Sequence, residues 1–157
     1  MPARDVGRLL KAKSLTISVA ESCTGGKVGD LITDISGSSD YFMGGVISYS
    51  NRAKSELLGV RNATLATKGA VSDEVARQMA SGVRKALHTK IGVGITGIAG
   101  PLGGSAEKPV GLVYIAVSSD RGTVSTKNIF RGSRLQVKKQ SATRALEMVH
   151  DFVLSKY

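Results

Sequence analysis

The apolar run Leu15-Thr16-Ile17-Ser18-Val19-Ala20 ends in Glu21-Ser22-Cys23-Thr24-Gly25-Gly26 and passes straight into a helical pattern at Val28, Leu31, Ile32 and Ile35. A strand that feeds a glycine-containing turn and then a helix exposes main-chain N–H groups. Beside them lies the positive end of the helix dipole. Such a turn favours an anion or a developing oxyanion. Glu21, Ser22, Cys23 and Thr24 bring a carboxylate, two hydroxyls and a thiol to it, so a reactive site is expected here, and several reactions fit it.

The remaining segments supply the frame. Val6, Leu9 and Leu10 have helical spacing and predict a short amphipathic helix lying across the sheet. Ser36 to Ser39 reads as a loop and Gly44 to Tyr49 as a second strand. Ser50 or Asn51 is then placed to cap the next helix, with Lys54 in its first turn. A cation is disfavoured at that end of a helix, so Lys54 either turns to solvent or has a local partner. Ser72 caps a third pattern, with Asp73 and Glu74 in the first turn and Ala76, Met79, Ala80, Val83 and Leu87 as its buried stripe.

Ile91 to Ile95 is a short β-type run broken by Gly92 and Gly94, and it opens into the glycine-dense stretch from Thr96 to Ser105. That stretch reads equally as a ligand cradle and as a flexible surface loop. Leu112 to Ser118 is a strong strand, and Asp120-Arg121-Gly122 turns it back through Thr123 to Phe130. Ser133 and Gln136 have capping-box spacing ahead of a helix carrying Ala142, Ala145, Leu146, Val149 and Phe152. Helices alternating with strands, then a hairpin near the end, predict a three-layer α/β/α domain around a mixed, mainly parallel sheet. The turns after the first and third strands are expected to meet at one edge of it.

Composition narrows the function. At 157 residues, with 41% hydrophobic and 22% charged residues, the chain suits one domain spanning 1–157. The polar N-terminus and the absence of a membrane-length apolar stretch lead us to expect a cytoplasmic protein without a membrane partner. One cysteine and two well-separated histidines, His88 and His150, both expected on helix bodies, offer no structural zinc site. The net charge of +10 raises the possibility of nucleic acid. The cations are dispersed, however, and aromatic residues make up only 4% of the chain, so a solvated basic surface without specific nucleic-acid binding is expected. Attraction of a phosphorylated metabolite is the next use of that charge.

Ser22, Lys54 and Tyr49 suggest hydrolysis by a serine nucleophile. A serine hydroxyl needs a base, and a lysine can serve once burial has lowered its pKa. Tyr49 would orient Lys54 or relay its proton, and N–H groups from Cys23 to Gly26 would hold the oxyanion. Ser22 could equally be an ordinary turn residue. Cys23 is a rival nucleophile, ranked lower because no histidine is placed to activate it. Glu21 reads as an anchor for the turn, since no second carboxylate stands at metal-binding or acid–base spacing.

Several motifs in order resemble those of the CinA C-terminal domain family: Ala20 to Gly26, Gly37-Ser38-Ser39, Tyr49 to Lys54, Gly69 to Ser72, Gly97 to Pro101 and Lys108 to Gly111. The family includes stand-alone nicotinamide mononucleotide deamidases. The resemblance implies an amidohydrolase that converts this nucleotide and water to nicotinate mononucleotide and ammonia, as a homo-oligomer; no cofactor or metal is expected. It carries the motif serine to Ser22, the lysine to Lys54 and the tyrosine to Tyr49. By the same analogy Glu21, Thr24, Gly25, Gly26, Thr96, Gly97, Gly100, Gly104, Ser105, Lys108 and Arg134 bind the substrate, with Arg134 and Lys108 on its phosphate. Leu102 departs from the family pattern, in which an acidic residue commonly follows Gly-Pro. That departure keeps a second possibility open, a nucleotide-binding module of the same fold without turnover.

Overall fold

The computed structural model describes all 157 residues. Its elements run α1 (Pro2–Ala12), β1 (Ile17–Glu21), α2 (Lys27–Thr33), β2 (Phe42–Ile47), α3 (Asn51–Leu58), α4 (Asn62–Lys68), α5 (Asp73–Ala86), β3 (Ile91–Gly97), β4 (Leu112–Ser119), β5 (Gly122–Ile129) and α6 (Arg134–Lys156). The sheet order is β2-β1-β3-β4-β5. β2, β1 and β3 are parallel, while β4 and β5 join through antiparallel ladders. Four of the five strands therefore point the same way, and the ladders divide two and two.

The two faces of the sheet differ in side-chain size, and this sets how its helices approach. On one face Ile17 and Val19 of β1, Ile91, Val93 and Ile95 of β3, and Val113, Ile115 and Val117 of β4 form one cluster with Val6, Leu10, Val28, Ile32, Leu146 and Phe152. Helices α1, α2 and α6 cover that face. Helix α1 packs chiefly on α6 rather than across the strands, because α6, 23 residues long, already occupies the sheet. On the other face the alternate positions are Ala20, Gly92, Gly94 and Ala116, and α5 comes down onto them through Ala76 and Ala80. A Cβ at Gly92 would collide with the Ala80 carbonyl oxygen, and one at Gly94 with that of Ala76. The two glycines that interrupt the apolar run of β3 are thus the floor for a closely packed helix.

Several boundaries move from their expected places. The second strand is Phe42–Ile47, two residues earlier than expected: the Ser48 N–H makes a last bond to the Glu21 carbonyl, and the chain then turns away at Tyr49 to deliver Ser50 as the cap of α3. His88 lies past the end of α5 with φ +53°, so it is a turn residue and not part of a helix body. Helix α4 has no counterpart in the sequence pattern: Asn62-Ala-Thr-Leu-Ala-Thr-Lys68 has little apolar periodicity and buries only Thr64. The Ser133–Gln136 capping box forms as expected, with both reciprocal bonds present.

Candidate active site

β1 and β3 are adjacent and parallel, so their C-terminal ends lie side by side, and the Ser22 N–H donates to the Ile95 carbonyl at 3.1 Å. The turn after β1 is held by Glu21. Its buried carboxylate accepts from the N–H groups of Gly26 (3.1 Å), Val28 (3.1 Å) and Gly29 (2.9 Å). Three of the donors that open α2 are therefore occupied by the chain's own anion, and the first turn of that helix is not a vacant phosphate site. The Gly25 N–H donates to the Ser22 carbonyl. Gly25 and Gly26 are accordingly removed from the expected oxyanion donors, and of the four only the N–H groups of Cys23 and Thr24 donate to no carbonyl or carboxylate of the chain. Both glycines have positive φ, +58° and +102°, which the tight turn requires.

Lys54 reaches this turn from the opposite side. Ser50 caps α3 by accepting from the Ala53 N–H at 3.0 Å, which fixes the helix start. Lys54 then shares the inward face with Leu58, one turn later, while Arg52 and Glu56 pair on the outer face. The Lys54 side chain is 1% exposed. Its Nζ lies 3.0 Å from Ser22 Oγ, 2.8 Å from the Ser48 carbonyl and 3.1 Å from the Tyr49 carbonyl. None of the eight ion pairs of the chain includes it. Burial without a counter-ion holds its pKa below the ordinary lysine value. A neutral amine has two N–H bonds and one lone pair. With the two carbonyls taking the N–H bonds, the lone pair is left for the Ser22 hydroxyl.

Tyr49 differs from expectation. It is the Tyr49 carbonyl that orients Lys54. Tyr49 itself is 64% exposed, and its hydroxyl accepts from Arg134 Nη2 at 3.3 Å. The phenol is therefore turned away from the amine, because the chain reverses at Ser48–Ser50 to start α3 and presents only its backbone inward. Cys23 is buried, and burial pushes its thiol up to about 12, so the neighbouring nucleophile candidate is protonated at neutral pH. Thr24 Oγ1 and Ser48 Oγ are buried in this region without a hydrogen-bond partner.

The residues assigned to substrate by analogy fall into two groups. Glu21, Thr24, Gly25 and Gly26 share the Ser22 turn, and Arg134 bridges the Gly100 carbonyl (Nη1, 2.7 Å) and the hydroxyl of Tyr49 (Nη2, 3.3 Å), the residue whose carbonyl holds Lys54. The others are engaged elsewhere. Thr96 Oγ1 donates to the Ala70 carbonyl (2.8 Å), and Gly97 and Gly104 are spaces against β4 and Val110. Ser105 Oγ accepts from the Lys108 N–H (3.0 Å) while the Ser105 N–H donates back to the Lys108 carbonyl (2.8 Å). Lys108 Nζ donates to the Lys68 carbonyl (2.6 Å), where it satisfies the C-terminal end of α4. Lys108 thus has one N–H group engaged within the chain, and Glu21 acts on the turn rather than facing outward. Leu102 is 84% exposed at the loop tip.

The fold and this pair define an α/β domain with a buried hydroxyl–amine dyad at the C-terminal ends of adjacent parallel strands. The CinA C-terminal domain model matches residues 2–153, and the chain belongs to that family. It is 52% identical over 153 residues to a CinA-like protein of Acaryochloris marina, covering 96% of this chain and 36% of that protein. It is 55% identical over 145 residues to a CinA-like protein of Microcystis aeruginosa, covering 90% and 35%. The chain thus spans about a third of the length of these curated relatives. Among solved structures, the competence/damage inducible protein CihA of Agrobacterium tumefaciens superposes with a TM-score of 0.92 at 41% identity, over 94% of this chain and 91% of that one. A CinA superfamily protein of Klebsiella pneumoniae gives 0.95 at 28% identity, over 98% and 96%.

Proposed function

We propose that the chain is an amidohydrolase that cleaves the carboxamide of nicotinamide mononucleotide, releasing ammonia and nicotinate mononucleotide. The observation that carries the reading is Lys54: a fully buried amine with no counter-ion, 3.0 Å from a serine hydroxyl at a strand-end turn. The nucleotide itself rests on the family motifs. Lys54 takes the proton of Ser22 Oγ as that oxygen attacks the carboxamide carbon, forming the C–O bond. The free N–H groups of Cys23 and Thr24 are available to the oxyanion. The C–N bond then breaks, with Lys54 returning its proton to the departing ammonia. A water, deprotonated by the same amine, cleaves the resulting ester to give the carboxylate and restore Ser22. No redox step or metal is needed.

Ammonia release from the mononucleotide by the purified protein, measured beside Ser22→Ala and Lys54→Ala, tests this. Turnover lost in both variants supports the dyad. Full turnover in either overturns it, and tight binding of the mononucleotide without ammonia release would make the chain a binding module of the same fold.

A further inference from the structure

We propose that Lys138, which no family motif in the sequence brings to notice, holds the anionic phosphomonoester of the substrate over the Ser22 turn. The inference rests on the amidohydrolase reading for its substrate. Its physical basis is the distribution of cations around the turn. Lys108 Nζ donates to the Lys68 carbonyl, and Arg134 donates to the Gly100 carbonyl and the Tyr49 hydroxyl, whereas the Lys138 ammonium makes no hydrogen bond within the chain. Lys138 lies four residues beyond Arg134 on α6, on the same helix face, and is half-buried. Its ammonium stands over Gly25: a Cβ added there would be 3.6 Å from Lys138 Nζ.

This ammonium is also near enough to the Cys23 thiol to oppose part of the effect of burial on it. It takes part in none of the eight ion pairs. Glu21, the carboxylate of the same turn, is buried and accepts from three N–H groups, and it forms no ion pair with Lys138. A half-buried ammonium is therefore left without an ion-pair partner over the turn that carries Ser22, and in the same turn Thr24 Oγ1 is buried with no partner. A dianion compensates the charge and supplies acceptors, where a neutral ligand can supply acceptors only. Gly25, lacking a side chain, leaves the space in which the two meet.

Steady-state ammonia release should be compared for nicotinamide mononucleotide and its riboside in the parent protein, Lys138→Met and Lys138→Arg. Lys138→Met should raise KM for the mononucleotide about 10- to 100-fold with little change in kcat, the range expected for a lost charge-assisted bond. It should leave the riboside unaffected, and Lys138→Arg should restore most of the affinity. Equal losses on both substrates, or no change on the mononucleotide, overturn the assignment. Calorimetric binding of the mononucleotide in a Ser22→Ala background reads Lys138 apart from turnover. Weaker binding on adding Lys138→Met supports the inference even if the hydrolase reading fails, and unchanged binding overturns it.

Discussion

The Lys54 amine and the Ser22 hydroxyl are 3.0 Å apart, and no carboxylate neutralises the amine. Two backbone carbonyls orient it instead, so its lone pair is free for the serine when the amine is uncharged. Replacing either partner should therefore remove the reaction and not merely weaken binding. Ser22→Ala and Lys54→Ala should each lower kcat by about 10³-fold or more. The double variant should be scarcely worse than either single one, since residues that act as a unit are not additive. Additive losses in the double variant would mean that the two groups serve separate steps.

The pH dependence follows from the same burial. Lys54 is held below its usual 10.5, so the uncharged, proton-accepting form grows as pH rises through the lowered value. kcat/KM for ammonia release should accordingly climb on the acidic side, with its midpoint below 10.5. Stability follows the same sign. The unfolded chain keeps the ordinary lysine value and binds more protons between the two, so unfolding becomes harder as pH rises across that window. Lys54→Met should flatten this slope. A rate profile that is level up to the ordinary lysine range would assign the proton transfer to another group.

Cys23 gives the opposite expectation. Its thiol is buried and pushed up to about 12, so at neutral pH almost none is thiolate. Cys23→Ala should keep turnover within a few-fold of the parent, and iodoacetamide should leave the folded protein unmodified until denaturant is added. Rapid inactivation by the reagent in the native state would reinstate Cys23 as the nucleophile.

Glu21 illustrates how much of the site was legible in the sequence. Its role as anchor of the turn could be read from its place before two glycines and from the lack of a second carboxylate. That its two oxygens would take three N–H groups of α2, and so close the anion site expected there, could not. Ser50 as a cap placed Lys54 in a first turn. Its inward direction then depended on Leu58 and the packing of α3 against α5, where a Cβ on Gly82 would strike the Leu58 carbonyl. Lys138 carried no local signal at all, because it meets Gly25 across more than a hundred residues of chain. What periodicity and capping reveal is local. The pairing of side chains at the site was set by the crossover between parallel strands.

The Glu21 arrangement is itself testable. Glu21→Gln keeps the size of the side chain but replaces one acceptor oxygen with an NH₂ group facing backbone N–H groups. The variant should be destabilised by about 2–3 kcal/mol, the cost of a charge-assisted bond lost and a buried donor left unpaired. Urea unfolding would read it as a lower midpoint with an unchanged slope. A midpoint equal to the parent's would show that the carboxylate is not needed to hold the turn.

Close packing of α5 on β3 leads to a last prediction, which separates steric from backbone effects at glycine. Gly94→Ala introduces a methyl group that would strike the Ala76 carbonyl and lie 2.6 Å from the Ala80 nitrogen, both backbone atoms that cannot rotate away. Helix and strand must separate, which should cost about 3 kcal/mol and broaden the loss to the adjoining end of β1. Gly59, by contrast, has open space around it and φ +68°, so Gly59→Ala costs only the left-handed backbone, about 1 kcal/mol. Because Ala20 and Glu21 pair with Gly94 and Ile95, strain at Gly94 is transmitted to the Ser22 turn, whereas Gly59 ends α3 away from it. Thermal unfolding and ammonia release measured together should show both quantities reduced in Gly94→Ala and only the first, slightly, in Gly59→Ala. Equal destabilisation by the two substitutions would mean that α5 does not rest on the glycine floor of β3.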